Sequence, residues 1–306
     1  MKKTIILFLI ILSSVGHAQK MAVTRHGTIQ RIANFQSAYV TPRNIDIWLP
    51  ENYSPDKKYA VLYMHDGQML FDSACTWNHQ SWDADDVLWK LLREHKIMDV
   101  IVVGVWNGEQ TRHSDYFPQK PWESLSPGQK EFVTRKLHQA DSALKSFQPN
   151  SDNYLKFLVT ELKPVIDKRF STHTDRAHTF IAGSSMGGLI SMYALCEYPL
   201  VFGGAACLST HWPGIFAVEG NPVPDSFLQY MRNHLPDPDT HKIYFDYGDQ
   251  TLDAIYPPLQ KKVDEVMKTK GYTSENWKTL SFPGKDHSEK SWNERLDIPM
   301  EFLLKK

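Results

Sequence analysis

Apolar and polar residues along the chain group into short apolar runs separated by longer amphipathic stretches. Residues 59–64, 100–105 and 201–208 form continuous apolar runs, as does the run that begins at Thr179, which is typical of strands buried on both faces. Residues 43–49 instead alternate cleanly and predict a strand with one solvated face. Further strands are predicted at 28–32, 243–247 and 277–282.

The stretches between these runs favour helices and two insertions. Helices are predicted at 81–96, 151–169, 256–270 and 288–306, with Ser151 as a cap and a kink at Pro164. Residues 107–150, with a helical piece near 129–147, and the loop-rich segment 211–238 are expected to cover the sheet. Strands alternating with helices predict an α/β fold, with a mostly parallel sheet that binds ligands at the carboxyl ends of its strands.

The segment Gly183-Ser184-Ser185-Met186-Gly187-Gly188 joins the central strand to a helix. A Gly-x-Ser-x-Gly turn between a strand and a helix holds its serine in a strained conformation with an exposed hydroxyl. Side chains at Gly183 and Gly187 would crowd the strand and the helix. Ser185 is therefore the predicted nucleophile of an acyl-transfer reaction.

A serine nucleophile requires a base, and an acid that orients this base. His287 follows the last predicted strand and is the predicted base, while His211, its main rival, is expected to contact substrate. The loop after residue 247 offers two carboxylates, Asp249 and Asp253. Asp253 is preferred as the acid, because it lies further from the strand end and has more slack to reach the histidine.

The oxyanion of such a reaction needs two backbone donors. The N–H of Met186, next to the nucleophile, is one, and the N–H of Gln68, after an early buried strand, is the other. Nine tryptophans are many, and several lie near predicted strand ends, where flat rings can stack on substrate. The predicted substrate contacts are Trp106, His211, Trp212 and Trp292.

Four motifs together resemble the esterase D / putative esterase family of α/β-hydrolases. They are Met64-His65-Asp66-Gly67-Gln68 with Leu70-Phe71-Asp72, the serine turn 183–188, Phe245-Asp246-Tyr247-Gly248, and His287-Ser288-Glu289-x-x-Trp292. The resemblance runs from about Arg43 to the C-terminus. It implies an α/β-hydrolase fold and a relationship to feruloyl and acetyl-xylan esterases, siderophore trilactone esterases and mycolyltransferases. It also favours Asp253 over Asp249, although some siderophore-type members work with serine and histidine alone.

The sequence thus predicts a serine carboxylic-ester hydrolase that acts through an acyl-enzyme. A small-molecule or oligosaccharide ester is the expected substrate, with acetyl or feruloyl esters of carbohydrate first. The alternatives are a siderophore trilactone esterase, an acyltransferase of the same fold and an inert carbohydrate-binding relative. The motifs typical of metal, dinucleotide or phosphate sites do not occur, so neither a metal nor a cofactor is expected.

Composition and the N-terminal residues bear on partners and location. A formal net charge of −1 without a long basic run argues against nucleic acid as a partner. Lys2 and Lys3, a short apolar core and Ala18 predict a signal peptide over residues 1–18, followed by a single esterase domain over residues 19–306. The expected location is secreted or periplasmic, without stable membrane association after cleavage.

Overall fold

The computed structural model describes residues 20–144, 147–216 and 219–305. The predicted signal peptide, residues 1–18, lies outside the described residues. Within them the chain forms an eight-stranded sheet in the order β1-β2-β4-β3-β5-β6-β7-β8. The strands are β1 Thr28–Phe35, β2 Arg43–Leu49, β3 Ala60–His65, β4 Val100–Val105, β5 Thr179–Ser184, β6 Gly204–Leu208, β7 Lys242–Gly248 and β8 Trp277–Phe282.

The strand directions divide the sheet into two parts. β1 and β2 pair antiparallel with each other, and β2 pairs antiparallel with β4. The pairs from β4 through β3, β5, β6 and β7 to β8 are all parallel. The predicted α/β fold with a mostly parallel sheet is confirmed, and the carboxyl ends of six strands meet at one edge.

Helices cover both faces of this sheet. They are α1 Ala84–Arg93, α2 Arg112–Tyr116, α3 Gln119–Glu123, α4 Pro127–Ala140, α5 Ser151–Lys156, α6 Lys163–Arg169, α7 Met186–Glu197, α8 Val223–His234, α9 Pro257–Thr269, α10 Glu289–Asn293 and α11 Asp297–Leu304. None of the helices in the described segments combines the length and the apolar character needed to span a membrane.

The alternation of side chains along β3 shows how the core is divided. Val61 and Tyr63 point into one apolar cluster, which packs under α7, α8 and α9, and both are at most 1% exposed. Leu62 and Met64 point into the other cluster, which packs against α1 and α11, and both are 0% exposed. Because both faces of the strand are buried, its sequence is a continuous apolar run.

Three predicted helices differ from those observed. Ser151 does not cap its helix: Asn150 holds the N-cap position, and the Ser151 hydroxyl accepts the N–H of Gln119 at 2.9 Å. A π-helical segment, Phe157–Leu162, precedes α6, which has Pro164 in its first turn, so the helical hydrogen-bonding pattern changes just before the proline. The C-terminal helix is two helices, α10 and α11.

The two insertions are more helical than predicted. The first contains α2, α3 and α4, and the second, expected to be loop-rich, contains the 12-residue helix α8. Pro222 at its N-cap and Pro224 in its first turn are compatible with a helix start, where proline loses no hydrogen bond. Phe227, Leu228 and Met231 of α8 are buried in the core, which stabilises the helix.

Candidate active site

Ser185 occupies the sharp turn between β5 and α7. Its backbone is strained as predicted, with φ 57° and ψ −122°, and α7 begins at the next residue. A Cβ at Gly183 would lie 2.8 Å from the carbonyl carbon of Gly187, so this turn excludes a side chain there. A Cβ at Gly187 would lie 3.4 Å from His65 Cβ, an ordinary contact, so the crowding prediction holds only for Gly183.

The two predicted oxyanion donors lie on adjacent segments. Met186 is the first residue of α7, where a helix provides no internal partner for the N–H. Gln68 lies in a single helical turn, Gly67–Met69, that follows Asp66 in a left-handed conformation with φ 55°. His65, three residues before Gln68, lies against Gly187 of the serine helix. The structure therefore brings the turn that carries Gln68 to the N-terminus of α7.

The structure brings Asp253 and His287 together. Asp253 is fully buried in the helical turn Thr251–Ile255, and its Oδ1 accepts a hydrogen bond from His287 Nδ1 at 2.5 Å. Its Oδ2 accepts the N–H of Gly248 and the hydroxyl of Ser209, both at 2.6 Å. A protonated Nδ1 leaves Nε2 as the nitrogen that can accept a proton from a serine hydroxyl.

Asp249 has a different position. Its Oδ1 accepts the N–H of Gly284 at 2.7 Å and the side-chain amide of Gln250 at 2.8 Å, and the hydrogen bonds from these two groups lower the pKa of Asp249. The carboxylate is exposed and ties together the loops that carry Asp253 and His287. Of the two candidate acids, only Asp253 reaches the imidazole.

These two loops make further contacts that position the histidine. The backbone N–H of His287 donates to Thr251 Oγ1 at 3.0 Å. The carbonyl of Lys285 accepts the N–H groups of Asp249 and Gln250 at 3.0 and 3.1 Å. A Cβ at Gly248 would lie 2.0 Å from that carbonyl, so glycine allows the loops to approach this closely.

A buried polar network behind Asp253 was not predicted. Ser209 Oγ accepts hydrogen bonds from Trp292 Nε1 and Arg295 Nη2, both at 2.9 Å. Arg295 also pairs with Asp246, with Nη2 to Oδ1 at 3.0 Å, and both side chains are at most 3% exposed. Burial raises the pKa of Asp246, although the neighbouring arginine opposes the shift. Nothing in the sequence marks Arg295 as buried, because Glu294 and Asp297 are charged residues close to it.

The structure buries two of the predicted substrate contacts, Trp212 and Trp292. Trp212 is 2% exposed, donates its Nε1–H to Gln260 at 2.7 Å and packs beside Phe245. Trp292 is 4% exposed and meets the His287 ring edge-on at a centroid distance of 5.0 Å. Both rings are therefore structural, because neither presents a face to a ligand.

His211 lies beside the site, but its ring is only 2% exposed. The backbone N–H of His211 donates to the backbone carbonyl of Ser185 at 3.1 Å. The ring Nδ1 is hydrogen-bonded to the hydroxyl of Tyr256 at 2.8 Å. Burial and the nearby His287 and His113 lower the pKa of His211 well below 6.5. It is a neutral residue that supports the serine turn, so the structure does not place it as an exposed substrate contact.

A partly buried ion pair between Arg112 and Asp66 lies on the other side of the oxyanion turn. Arg112 Nε and Nη2 donate to the two oxygens of Asp66 at 2.7 and 2.8 Å, and Asn107 adds a third bond at 2.6 Å. Burial favours the neutral acid, but the charge and hydrogen bonds of Arg112 outweigh it and lower the pKa of Asp66. Burial lowers the pKa of the adjacent His65 to about 3. Arg112 and Asn107 thus fix the position of the turn that carries Gln68 through their hydrogen bonds to Asp66.

Trp106 is the predicted substrate contact that the structure leaves accessible. Its Nε1–H donates to Asp46 Oδ2 at 2.8 Å, and the guanidinium of Arg31 lies 4.6 Å from its ring centroid. It lines a surface groove together with Gln68 and with Trp77, which is 82% exposed. Trp77 is one of the tryptophans near predicted strand ends that could stack on substrate, but it is not among the four predicted contacts.

One cluster in the described residues could hold a metal ion. His173, Asp175 and His178 bring one ligand atom each within 4.8 Å of one another. They precede β5, whereas Ser185 follows it, so the cluster lies at the opposite edge of the sheet. It takes no part in the constellation around the serine.

With this geometry established, comparisons identify the family. A model of the Putative esterase family matches residues 37–298. The chain belongs to this family. The predicted resemblance is therefore confirmed, and the family assigns the chain to the carboxylic-ester hydrolases.

The chain is also similar to individual proteins and to solved structures. An endo-1,4-beta-xylanase/feruloyl esterase of Xylanibacter ruminicola is 24% identical over 289 residues, which cover 92% of this chain and 32% of that protein. A ferulic acid esterase from Anaeromyces mucronatus gives a TM-score of 0.59 at 19% identity, covering 93% and 94% of the two chains. The enterobactin esterase of Shigella flexneri gives 0.65 at 14% identity, covering 92% and 60%. These structures share the fold.

Proposed function

We propose that the chain is a serine esterase that works through an acyl-enzyme, with Ser185 as nucleophile, His287 as general base and Asp253 as the orienting acid. The observation that carries the proposal is the 2.5 Å Asp253–His287 hydrogen bond at the sheet edge where the strained Ser185 follows β5. An acid, an imidazole and a serine on a turn are the parts that nucleophilic acyl transfer requires.

The reaction follows from the role of each group. Ser185 Oγ attacks the ester carbonyl carbon while His287 Nε2 takes the hydroxyl proton. The N–H groups of Met186 and Gln68 stabilise the oxyanion. The tetrahedral intermediate then collapses, the bond to the alcohol breaks, and His287 returns its proton to the departing alcohol.

Deacylation repeats these steps with water. His287 takes a proton from water, the hydroxide oxygen bonds to the acyl carbon, and the ester bond to Ser185 breaks with return of the proton. Asp253 keeps the imidazole in one tautomer and stabilises its positive charge in both halves. An acyltransferase would use a second bound alcohol here in place of water.

We propose an acylated carbohydrate as substrate. This is supported by the xylanase/feruloyl esterase among the relatives, since the chain aligns along 92% of its own length with 32% of that protein. The second candidate is a siderophore lactone, which rests on the similarity in fold to the enterobactin esterase.

We also propose that the enzyme is exported. The support is the sequence of residues 1–18, which combines two lysines, an apolar core and a small residue at the predicted cleavage point. N-terminal sequencing of protein recovered from outside the cytoplasm should begin near Gln19. Recovery of the uncleaved chain inside the cell would contradict export.

The mechanism is tested by chemical labelling and kinetics together. A fluorophosphonate should modify Ser185 and abolish hydrolysis of 4-nitrophenyl acetate in step with labelling, as shown by peptide mass spectrometry. Ser185→Ala should lower kcat by at least roughly a thousandfold without unfolding the protein. Ser184→Ala, at the neighbouring position, is the matched control. Labelling at another residue, or an active Ser185→Ala enzyme, would refute the assignment.

A further inference from the structure

A surface groove of about 580 Å³ begins at the oxyanion turn and runs outward across the protein. One wall is the single helical turn Ser73–Cys75 with the two residues after it, and the other is the loop that follows β4. The walls combine the rings of Trp77 and Trp106 with hydrogen-bonding side chains and with charges of both signs, including Lys20, Glu109 and Arg112.

The inner end of this groove lies beside the serine turn. Gln68, whose N–H is the proposed oxyanion donor, lines the groove itself. Arg112, another lining residue, holds Asp66 two residues before Gln68, and Asp66 Oδ2 would lie 3.6 Å from a Cβ on Gly187 in the serine helix. The groove therefore begins at the turn that lies beside the serine helix.

Two tryptophans give the groove its aromatic surface. Trp77 is 82% exposed, whereas nearby Trp82 is 2% exposed in the core, so packing does not explain the first ring. Trp106 is held in place by its hydrogen bond to Asp46 and by the Arg31 guanidinium 4.6 Å from its centroid. Exposed aromatic surface of this kind marks binding sites, because its burial by a ligand is favourable.

Polar groups between the rings can bind hydroxyl groups. Gln68 Oε1 accepts the N–H of Asn107 at 3.2 Å, which leaves the Gln68 amide nitrogen to donate elsewhere. Arg112 uses Nε and Nη2 for Asp66, and within the described residues its Nη1 has no hydrogen-bond partner. A ring that carries hydroxyls on its edge and C–H groups on its face would satisfy both kinds of surface.

We infer that this groove binds a neutral sugar ring on the alcohol side of the ester, with Trp77 as the stacking surface. The inference rests on the proposed esterase function and specifies which part of the substrate binds where. The groove is open at the surface, so a sugar within a longer chain can continue into solvent. On the other flank of Ser185, His211 and Trp212 are each 2% exposed.

Kinetics with two esters test the inference. Trp77→Ala should lower kcat/KM for an acetylated or feruloylated xylo-oligosaccharide about tenfold or more, while 4-nitrophenyl acetate, which has no sugar, changes less than about twofold. Trp89→Ala is the control, because Trp89 lines a different groove. Equal losses on both esters, or no loss on the oligosaccharide, would overturn the subsite.

Direct binding separates this inference from the esterase assignment. Unacylated xylotriose should bind Ser185→Ala in calorimetry and should not bind Ser185→Ala/Trp77→Ala. This outcome is independent of turnover, so it would support the subsite even if the enzyme failed to hydrolyse 4-nitrophenyl acetate. Trp77-dependent binding of ferulate or 2,3-dihydroxybenzoate without binding of xylotriose would identify an acidic aryl group as occupant and overturn the proposal.

Discussion

The hydroxyl of Ser209 donates to Asp253, and its direction is fixed by the groups around it. Ser209 Oγ receives N–H bonds from Trp292 and Arg295, both at 2.9 Å, and these groups can only donate. The single hydroxyl proton must therefore point to Asp253 Oδ2, 2.6 Å away. In this position the backbone of Ser209 is left-handed, with φ 40°, a conformation that is unfavourable for residues other than glycine.

The first prediction tests Ser209 as a positioning residue. Ser209→Ala should lower kcat by about tenfold to a hundredfold, because loss of this bond frees Asp253 to rotate away from His287. KM should change little, since Ser209 does not face the substrate groove. In the NMR spectrum of Ser209→Ala, the low-field proton resonance of His287 Nδ1–H should weaken or shift.

Two comparisons control for a merely structural effect. Ser226→Ala removes a hydroxyl whose partner is the carbonyl of Val223 in α8, and it should leave kcat and the resonance unchanged. If Ser209→Ala lowers only the melting temperature, and the resonance and kcat match wild type, Ser209 supports the fold and does not position the acid.

The second prediction separates the two acids that the sequence offered. Asp253→Asn should lower kcat by more than a hundredfold, because an amide favours the wrong histidine tautomer. Asp249→Asn should change kcat by less than about tenfold, which is ~1.4 kcal/mol. If neither variant slows the enzyme beyond that margin, Ser185 and His287 work as a dyad, and if Asp249→Asn is the slower enzyme, the assignment reverses.

The third prediction concerns the buried pair of Arg295 and Asp246. Arg295→Met should lower the free energy of unfolding by about 3–5 kcal/mol, because it leaves the Asp246 carboxylate buried without its charge partner. Burial already raises the pKa of Asp246, so the acid should take up a proton as pH falls and the deficit should shrink.

Urea denaturation at several pH values measures this deficit. Arg232→Met, on the exposed side of α8, is the matched control and should stay within about 0.5 kcal/mol of wild type. A deficit for Arg295→Met that grows at low pH would show that another interaction of this arginine dominates.

The parts of the site that sequence predicted are those set by local pattern and chain order. Ser185 could be predicted because a stretch of about ten residues shows the strand–turn–helix pattern around it. His287 could be predicted because it follows the last strand of the sheet. The sequence favoured Asp253 over Asp249 only because Asp253 lies further from the strand end, and because the family resemblance points to it. The structure explains the choice, because Asp249 turns outward to Gly284 while Asp253 faces the imidazole.

The parts that sequence missed depend on side-chain direction and long-range contact. Trp292 is the last residue of the histidine motif, and nothing local shows that its ring turns inward to Ser209, 83 residues away along the chain. The positive φ of Ser209 has no signature of its own, because serine is common in ordinary loops. Helix α8 was hidden by the prolines at its start, since proline favours turns and first helical turns alike.

The last prediction concerns stability in mild acid and the ring of His113. Burial and the neighbouring charge of Arg112 lower the pKa of His113 to about 4, and its Nε2 has no hydrogen-bond partner in the described residues. Between pH 6.5 and about 4 the unfolded chain therefore binds a proton that the folded protein rejects. Stability falls as pH falls through this window, by at most roughly 1.4 kcal/mol per pH unit for one group.

His113→Phe should remove this part of the slope, because phenylalanine does not titrate and its neighbours Phe117 and Phe147 are aromatic. The free energy of unfolding from urea titrations between pH 7 and pH 4 should therefore fall less steeply than in wild type. His138→Gln removes an exposed imidazole from α4 and should keep the wild-type slope. Parallel curves for wild type and His113→Phe would mean that His113 accepts its proton in the folded state, and that the acid sensitivity comes from other buried groups such as His65 and His211.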